Sequence, residues 1–144
     1  MSEEDLDELL EGRHTMALAT MLPDGRIHQS AVYYARVDGR VCIWSFRKAQ
    51  RVANLRRDPR VSAMVEAGDN YAELRGVSMS GTATIVEDHD EVMRVGRVLF
   101  TRYAGAESPE LLAAADATSE KRVLLVLDIT HTVTWDHRKL GGTY

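Results

Sequence analysis

At 144 residues, with 44% hydrophobic and 28% charged side chains, the chain suits one domain whose core needs neither disulfides nor metal to hold it. Its formal net charge of −4 excludes general nucleic-acid binding, which needs a basic face spread over many phosphates. A single cysteine excludes a disulfide framework, and no apolar stretch reaches the length of a membrane span.

Residues 3–11 place Leu6, Leu9 and Leu10 at helical spacing among carboxylates, with Ser2 as cap and Gly12 as stop. This segment is acidic where a secretory signal is basic, so a cytoplasmic protein is expected. An apolar run over 14–22 predicts a strand that ends at the turn Pro23-Asp24-Gly25. A second strand follows over 26–37, then Asp38-Gly39 and a third strand over 40–45. Cys42, inside that alternation, reads as a small buried hydrophobe. The period then changes: Val52 and Leu55 share one face of a short helix over 48–57, and Pro59 stops it. Strand patterning resumes over 60–67 and 71–88, with Gly76 and Gly81 marking a bulge or a close backbone approach. A helix from Asp88 aligns Val92, Val95, Leu99 and Tyr103 and ends at Gly105. Residues 106–120 read as a helical or loop excursion, 121–136 as a long strand, and 137–144 as a polar tail.

Six strands joined mostly by short turns predict antiparallel pairing and a small closed barrel, mainly β with peripheral helices, in one domain over 1–144. The strand–helix alternation and glycine fingerprint of a dinucleotide-binding α/β sheet are both missing. Tyr33, Tyr34 and Trp44, lying in strands, read first as barrel core.

The feature that asks for a function is the block Arg47, Lys48, Arg51, Arg56, Arg57 and Arg60 in an otherwise acidic chain. At the strand-to-helix junction, the Ser45 hydroxyl, the open N–H groups of a helix start and the nearest cations would converge on one point, as a phosphate or carboxylate requires. The plain alternative is a solvated basic face that balances the acidic first helix. Asn54 and Asp58, close to Pro59, read as turn chemistry. His14, His28, His89, His131 and His137 lack metal-ligand spacing, no GxSxG elbow is present, and no side-chain catalytic residue is assigned.

The set DGR, AVYY, IWS, NLRRDPRVSAMV, GTATIVED, KRVLLVLDIT and TWDHRKL resembles the split β-barrel flavin and deazaflavin oxidoreductases, the pyridoxamine 5′-phosphate oxidase-like superfamily. NLRRDPRV together with WDHRKL is most similar to the branch that uses coenzyme F420. The resemblance implies a six-stranded split barrel and a homodimer whose cofactor lies in the groove between two barrels. By position, it implies that Gln29, Ser30, Ala31 and Val32 lie beside the tricyclic ring, that Ser45, Lys48, Gln50 and Arg51 hold the phosphate, and that Arg56 reaches an anionic tail. Trp135, His137, Arg138 and Lys139 would approach the partner's cofactor. The implied activity is hydride transfer between reduced F420 and an unsaturated or conjugated small-molecule substrate. An FMN-dependent reductase or pyridoxamine phosphate oxidase-like enzyme, and a non-catalytic dimer that binds a flavin or tetrapyrrole, are the other readings.

Overall fold

Over residues 1–12 and 14–141, which this computed structural model describes, the chain forms four α-helices and seven strands. In order they are α1 (Glu3–Glu11), β1 (Met16–Met21), β2 (Ile27–Val32), β3 (Tyr34–Val37), β4 (Arg40–Phe46), α2 (Gln50–Arg57), β5 (Arg60–Ala67), β6 (Arg75–Val86), α3 (His89–Ala104), α4 (Pro109–Ser119) and β7 (Arg122–Asp136). All strand pairs are antiparallel, in the order β2-β1-β5-β6-β7-β4-β3. The two outermost strands, β2 and β3, are separated in sequence by Tyr33 alone, so the sheet must curl until its edges meet. That closure makes the barrel.

The expected strand over 26–37 is therefore two, and the sheet has seven strands where six continuous runs were predicted. Alternation does not break at the bend: Val32 and Tyr34 both enter the barrel core while Tyr33 points outward, 59% exposed. A periodic pattern read from sequence carries no mark of such a bend. What holds the bend comes from far along the chain. The Tyr34 N–H donates to the Tyr103 hydroxyl (3.1 Å), which itself donates toward the carbonyls of His14 (2.9 Å) and Tyr34 (3.1 Å), and the Tyr33 ring stacks on Tyr103 at 4.2 Å. Tyr33 is thus not core, in contrast to the reading of its sequence context.

The interior is filled by alternate residues of the strands, among them Leu18, Ile43, Val61, Val65, Val77, Val123 and Leu125, with Leu9 and Leu10 of α1 and Val52 and Leu55 of α2 packed into the same cluster. A second apolar layer lies outside, where Val92, Val95 and Leu99 of α3 cover Ala35, Cys42, Trp44 and Leu124. Gly96 permits that contact, because a Cβ there would lie 2.4 Å from the Trp44 indole. The excursion after α3 proves helical: Ser108 caps α4 by accepting from the Leu111 N–H, and Pro109 sits in its first turn. The bulge expected near Gly81 is present between Ser80 and Gly81.

Candidate functional site at the barrel slit

The bend that closes the barrel also leaves it split. β3 pairs with β4 only as far as Tyr34 opposite Ile43, while β4 continues to Phe46, and β2 has turned away to pair with β1. Arg51, from the first turn of α2, crosses this gap. Its Nε donates to Ser30 Oγ on β2 (3.1 Å) and its Nη1 to Ser45 Oγ on β4 (2.9 Å), with Ser45 itself buried. Three residues selected from the sequence, Ser30, Ser45 and Arg51, are brought together.

The electrostatics of the slit are unbalanced. Burial lowers the Arg51 guanidinium from its ordinary pKa, and among the described residues no carboxylate lies within 4 Å to compensate. Arg122 opens β7 opposite Phe46, and its guanidinium lies over the Phe46 ring at 3.6 Å and the Trp44 ring at 5.1 Å. Burial first, and then the charge of Arg51, lower its pKa too. Arg47 and Lys48 are exposed beside them, and none of these four cations forms an ion pair among the described residues. Half-buried, mutually repelling guanidinium groups without a counter-charge are costly for the chain alone, and an anion would relieve them. The Ala49 side chain makes no capping bond at the start of α2, so the first N–H groups of the helix that carries Arg51 are not capped by it. These donors fit a phosphate.

Other predicted positions have different company. Gln50 Nε2 donates to Asn54 Oδ1 (2.9 Å), and Asn54, 0% exposed, donates from Nδ2 to Thr20 Oγ1 (3.1 Å). Asn54 is therefore a buried tie between α2 and β1 and not a turn residue, whereas Asp58 does follow turn chemistry, accepting from the Arg60 N–H at 3.2 Å. Arg56 pairs with Glu87 (2.8 Å) at the end of β6. Val32 is buried in the core, so only its backbone can meet a ligand. Gln29 and Ala31 face outward.

The C-terminal set is gathered elsewhere. Trp135 covers Gly76, where a Cβ would meet the indole at 2.1 Å. His137 Nδ1 lies 2.9 Å from the Tyr71 carbonyl, Arg138 holds Asp136 through two bonds (2.9 and 2.7 Å), and Lys139 pairs with Asp5. Ser45 is opposite Val123, so Trp135 lies roughly 40 Å further along β7. None of these tail contacts involves Ser30, Ser45 or Arg51. Positions 142–144, the end of the predicted polar tail, lie outside the described residues.

Residues 2–136 match the family model described as pyridoxamine 5′-phosphate oxidase. The chain belongs to that family. Among solved structures, it is similar to the conserved hypothetical protein Rv2991 from Mycobacterium tuberculosis, at 42% identity and a TM-score of 0.92, over 100% of this chain and 90% of that one. It is also similar to a protein described as an F420 reductase, at 26% identity and a TM-score of 0.71, over 88% of this chain and 94% of that one. HutZ, the heme storage protein from Vibrio cholerae, shares the fold at 19% identity and a TM-score of 0.72, over 93% of each chain. The architecture is thus the flavin-binding split barrel of the pyridoxamine 5′-phosphate oxidase family, which includes oxidoreductases.

In this pyridoxamine 5′-phosphate oxidase family member, Arg122 and Tyr103 are the two residues of the slit that sequence reasoning passed over. Arg122 could have been found by pairing β4 with β7: once Phe46 and Arg122 are opposed, the cation belongs beside Ser45. Tyr103 gave no local signal beyond its place on the apolar face of α3. Among the described residues, no group of three or more His, Cys, Asp or Glu side chains is placed to hold a metal ion. None of the described helices is long and apolar enough to cross a membrane.

Proposed function

We propose that the protein is a coenzyme F420-dependent oxidoreductase that works as a homodimer on an unsaturated or conjugated organic substrate. The observation that carries this reading is Arg51, a half-buried guanidinium suspended between two serine hydroxyls with no carboxylate among the described residues to neutralise it. The deazaflavin, when bound, supplies the hydride chemistry. The chain's own residues bind and orient. Arg51 and Lys48 neutralise the phosphate, Ser45 keeps the Arg51 fork in place, and the exposed backbone edge of Gln29 to Val32 offers polar groups to a flat ring. The exposed cations Arg47 and Arg56 extend the field toward a longer anionic tail. Arg56 does so by exchanging its exposed partner Glu87, a contact worth little in water. The 26% identity to an F420 reductase over most of both chains supports the choice of cofactor.

Titration of the purified protein with F420 and, separately, with FMN tests the reading. Arg51→Ala and Lys48→Ala are each expected to raise the Kd for F420, the former roughly tenfold to a hundredfold, as for loss of a charged hydrogen bond. Unchanged affinity in both variants would remove the assigned phosphate site. Tighter binding of FMN than of F420 would replace the cofactor.

A further inference from the structure

On the outer side of the slit, Tyr33, Trp44, Phe100, Tyr103, Leu111 and Arg122 enclose a pocket of about 390 Å³. It is assembled from the bend between β2 and β3, the last turns of α3 and the first turn of α4, so it exists only in the folded chain. Its volume suits a ligand of one or two rings, and its walls are aromatic and aliphatic with a single cation. Arg122, the cation of those walls, is half-buried and forms no ion pair among the described residues, and neither its Nε nor the buried indole Nε1 of Trp44 has a hydrogen-bond partner among them.

A half-buried guanidinium with no acid beside it among the described residues marks a place where an anion is wanted. The pocket meets the phosphate site at Arg122 but is distinct in its walls, which include none of Ser30, Ser45 and Arg51. Arg51 is tied inward to Ser30 and Ser45, while Arg122 is laid over Phe46 and Trp44 on the outer face. The apolar walls exclude a sugar or a polyphosphate, which would leave many polar atoms unpaired. One cation among rings selects a compact anion attached to a flat apolar body.

We propose that this pocket is a binding site for a planar aromatic carboxylate, with the ring against the aromatic walls, the Trp44 indole among them, and the carboxylate accepting from the Arg122 guanidinium. The site does not depend on the identity of the redox cofactor. A ligand held there would touch Tyr33, and through it the Tyr103 hydroxyl that secures the bend.

The test uses 2-naphthoate as probe and reads the two tryptophan indole N–H signals in a nitrogen–proton correlation spectrum, assigned with Trp135→Phe. Saturable movement of the Trp44 signal is expected, with calorimetry giving the Kd. Arg122→Gln should weaken binding at least tenfold, Leu111→Phe should fill the cavity and abolish it, and Lys48→Ala, at the phosphate site, should leave it unchanged. A Trp44 signal that stays still, or equal affinity in Arg122→Gln with the spectrum of a folded protein, would overturn the proposal. 2-Naphthol binding as tightly as 2-naphthoate would overturn its anionic part, and cyclohexanecarboxylate doing so would overturn its aromatic part. Should Leu111→Phe fail to fold, Arg122→Gln alone decides. Because Arg122 also lies beside Arg51 in the slit, Leu111→Phe, which leaves every cation in place, separates loss of naphthoate binding from loss of F420 binding.

Discussion

A phenol hydroxyl from α3 decides where the barrel opens. Tyr103 accepts the Tyr34 N–H that leaves the strand ladder at the bend, so this buried donor does not stay unpaired when β2 turns away from β4. Tyr34 is held just as firmly from the other end, where its hydroxyl donates to the Leu10 carbonyl at 2.9 Å. Burial pushes the Tyr34 phenol up to about 12, against 10.0 for a free tyrosine, although the Arg102 charge pulls the other way. Its neutral form is therefore favoured in the folded state. The stability it contributes is fully present below pH 10 and is lost as pH rises toward about 12. Urea unfolding across that window should show a falling stability whose slope is smaller in Tyr34→Phe. An identical slope in the variant would show that Tyr34 is not the group being titrated. Cys42, also buried, has its thiol pushed above the ordinary value by the same desolvation and belongs to the packing under α3.

At the scale of elements, α2 carries both the anion site and its support. Val52 and Leu55 seat the helix on the barrel core, and Asn54 fastens it to β1 through Thr20, so the Arg51 side chain starts from a rigid base. Asn54→Ala should cost about 1–3 kcal/mol in a chemical denaturation curve, because Thr20 and Gln50 lose a buried partner. If α2 positions the guanidinium as described, the same variant should also weaken F420 binding while leaving every charge in place. A stability loss with unchanged cofactor affinity would show that the helix need not be held this tightly. α1 is fixed differently: Ser2 and Asp5 form a capping box at its start, and Arg102 donates to the carbonyls of Leu10 and Gly12 at its end. That cation does for α1 what no acid does for Arg51. The contrast distinguishes a structural arginine from one free to meet a ligand.

For the whole molecule, the exposed face of the sheet is the feature that remains unpartnered in one chain. The pairing registers align Ala31, Ala17, Met64, Ser78 and Val133 in a row across five strands, and Met64 and Val133 are 42% and 52% exposed. A flat row of small and apolar side chains suits a second copy of the chain, and Ala31 ties it to the strand proposed to meet the cofactor ring. The proposed dimer is also what would bring Trp135 and His137 to Lys139 of one protomer toward the slit of the other, whose residues they do not contact in their own chain. Light scattering should give twice the mass of 16.1 kDa, and Val133→Asp should shift the protein toward monomer and reduce F420 affinity together. A monomeric wild type that binds F420 normally would remove the dimer from the proposal.

Hydrophobic periodicity and turn residues were enough to place nearly every strand and helix, because those signals are local: Asp38 and Gly39, both at positive φ, make the tight hairpin their types suggest. The cluster of cations after Ser45 was equally legible, since charge and order along the chain need no third dimension. What could not be read was where the closed sheet would tear. The bend at Tyr33 keeps the same inside–outside alternation on both sides, and the hydroxyl that stabilises it lies 70 residues later on another element. Arg122 next to Arg51, Asn54 as a tie and the aromatic pocket beneath α4 are likewise products of pairing registers and helix docking. Such contacts join residues distant in sequence, and no local pattern encodes them.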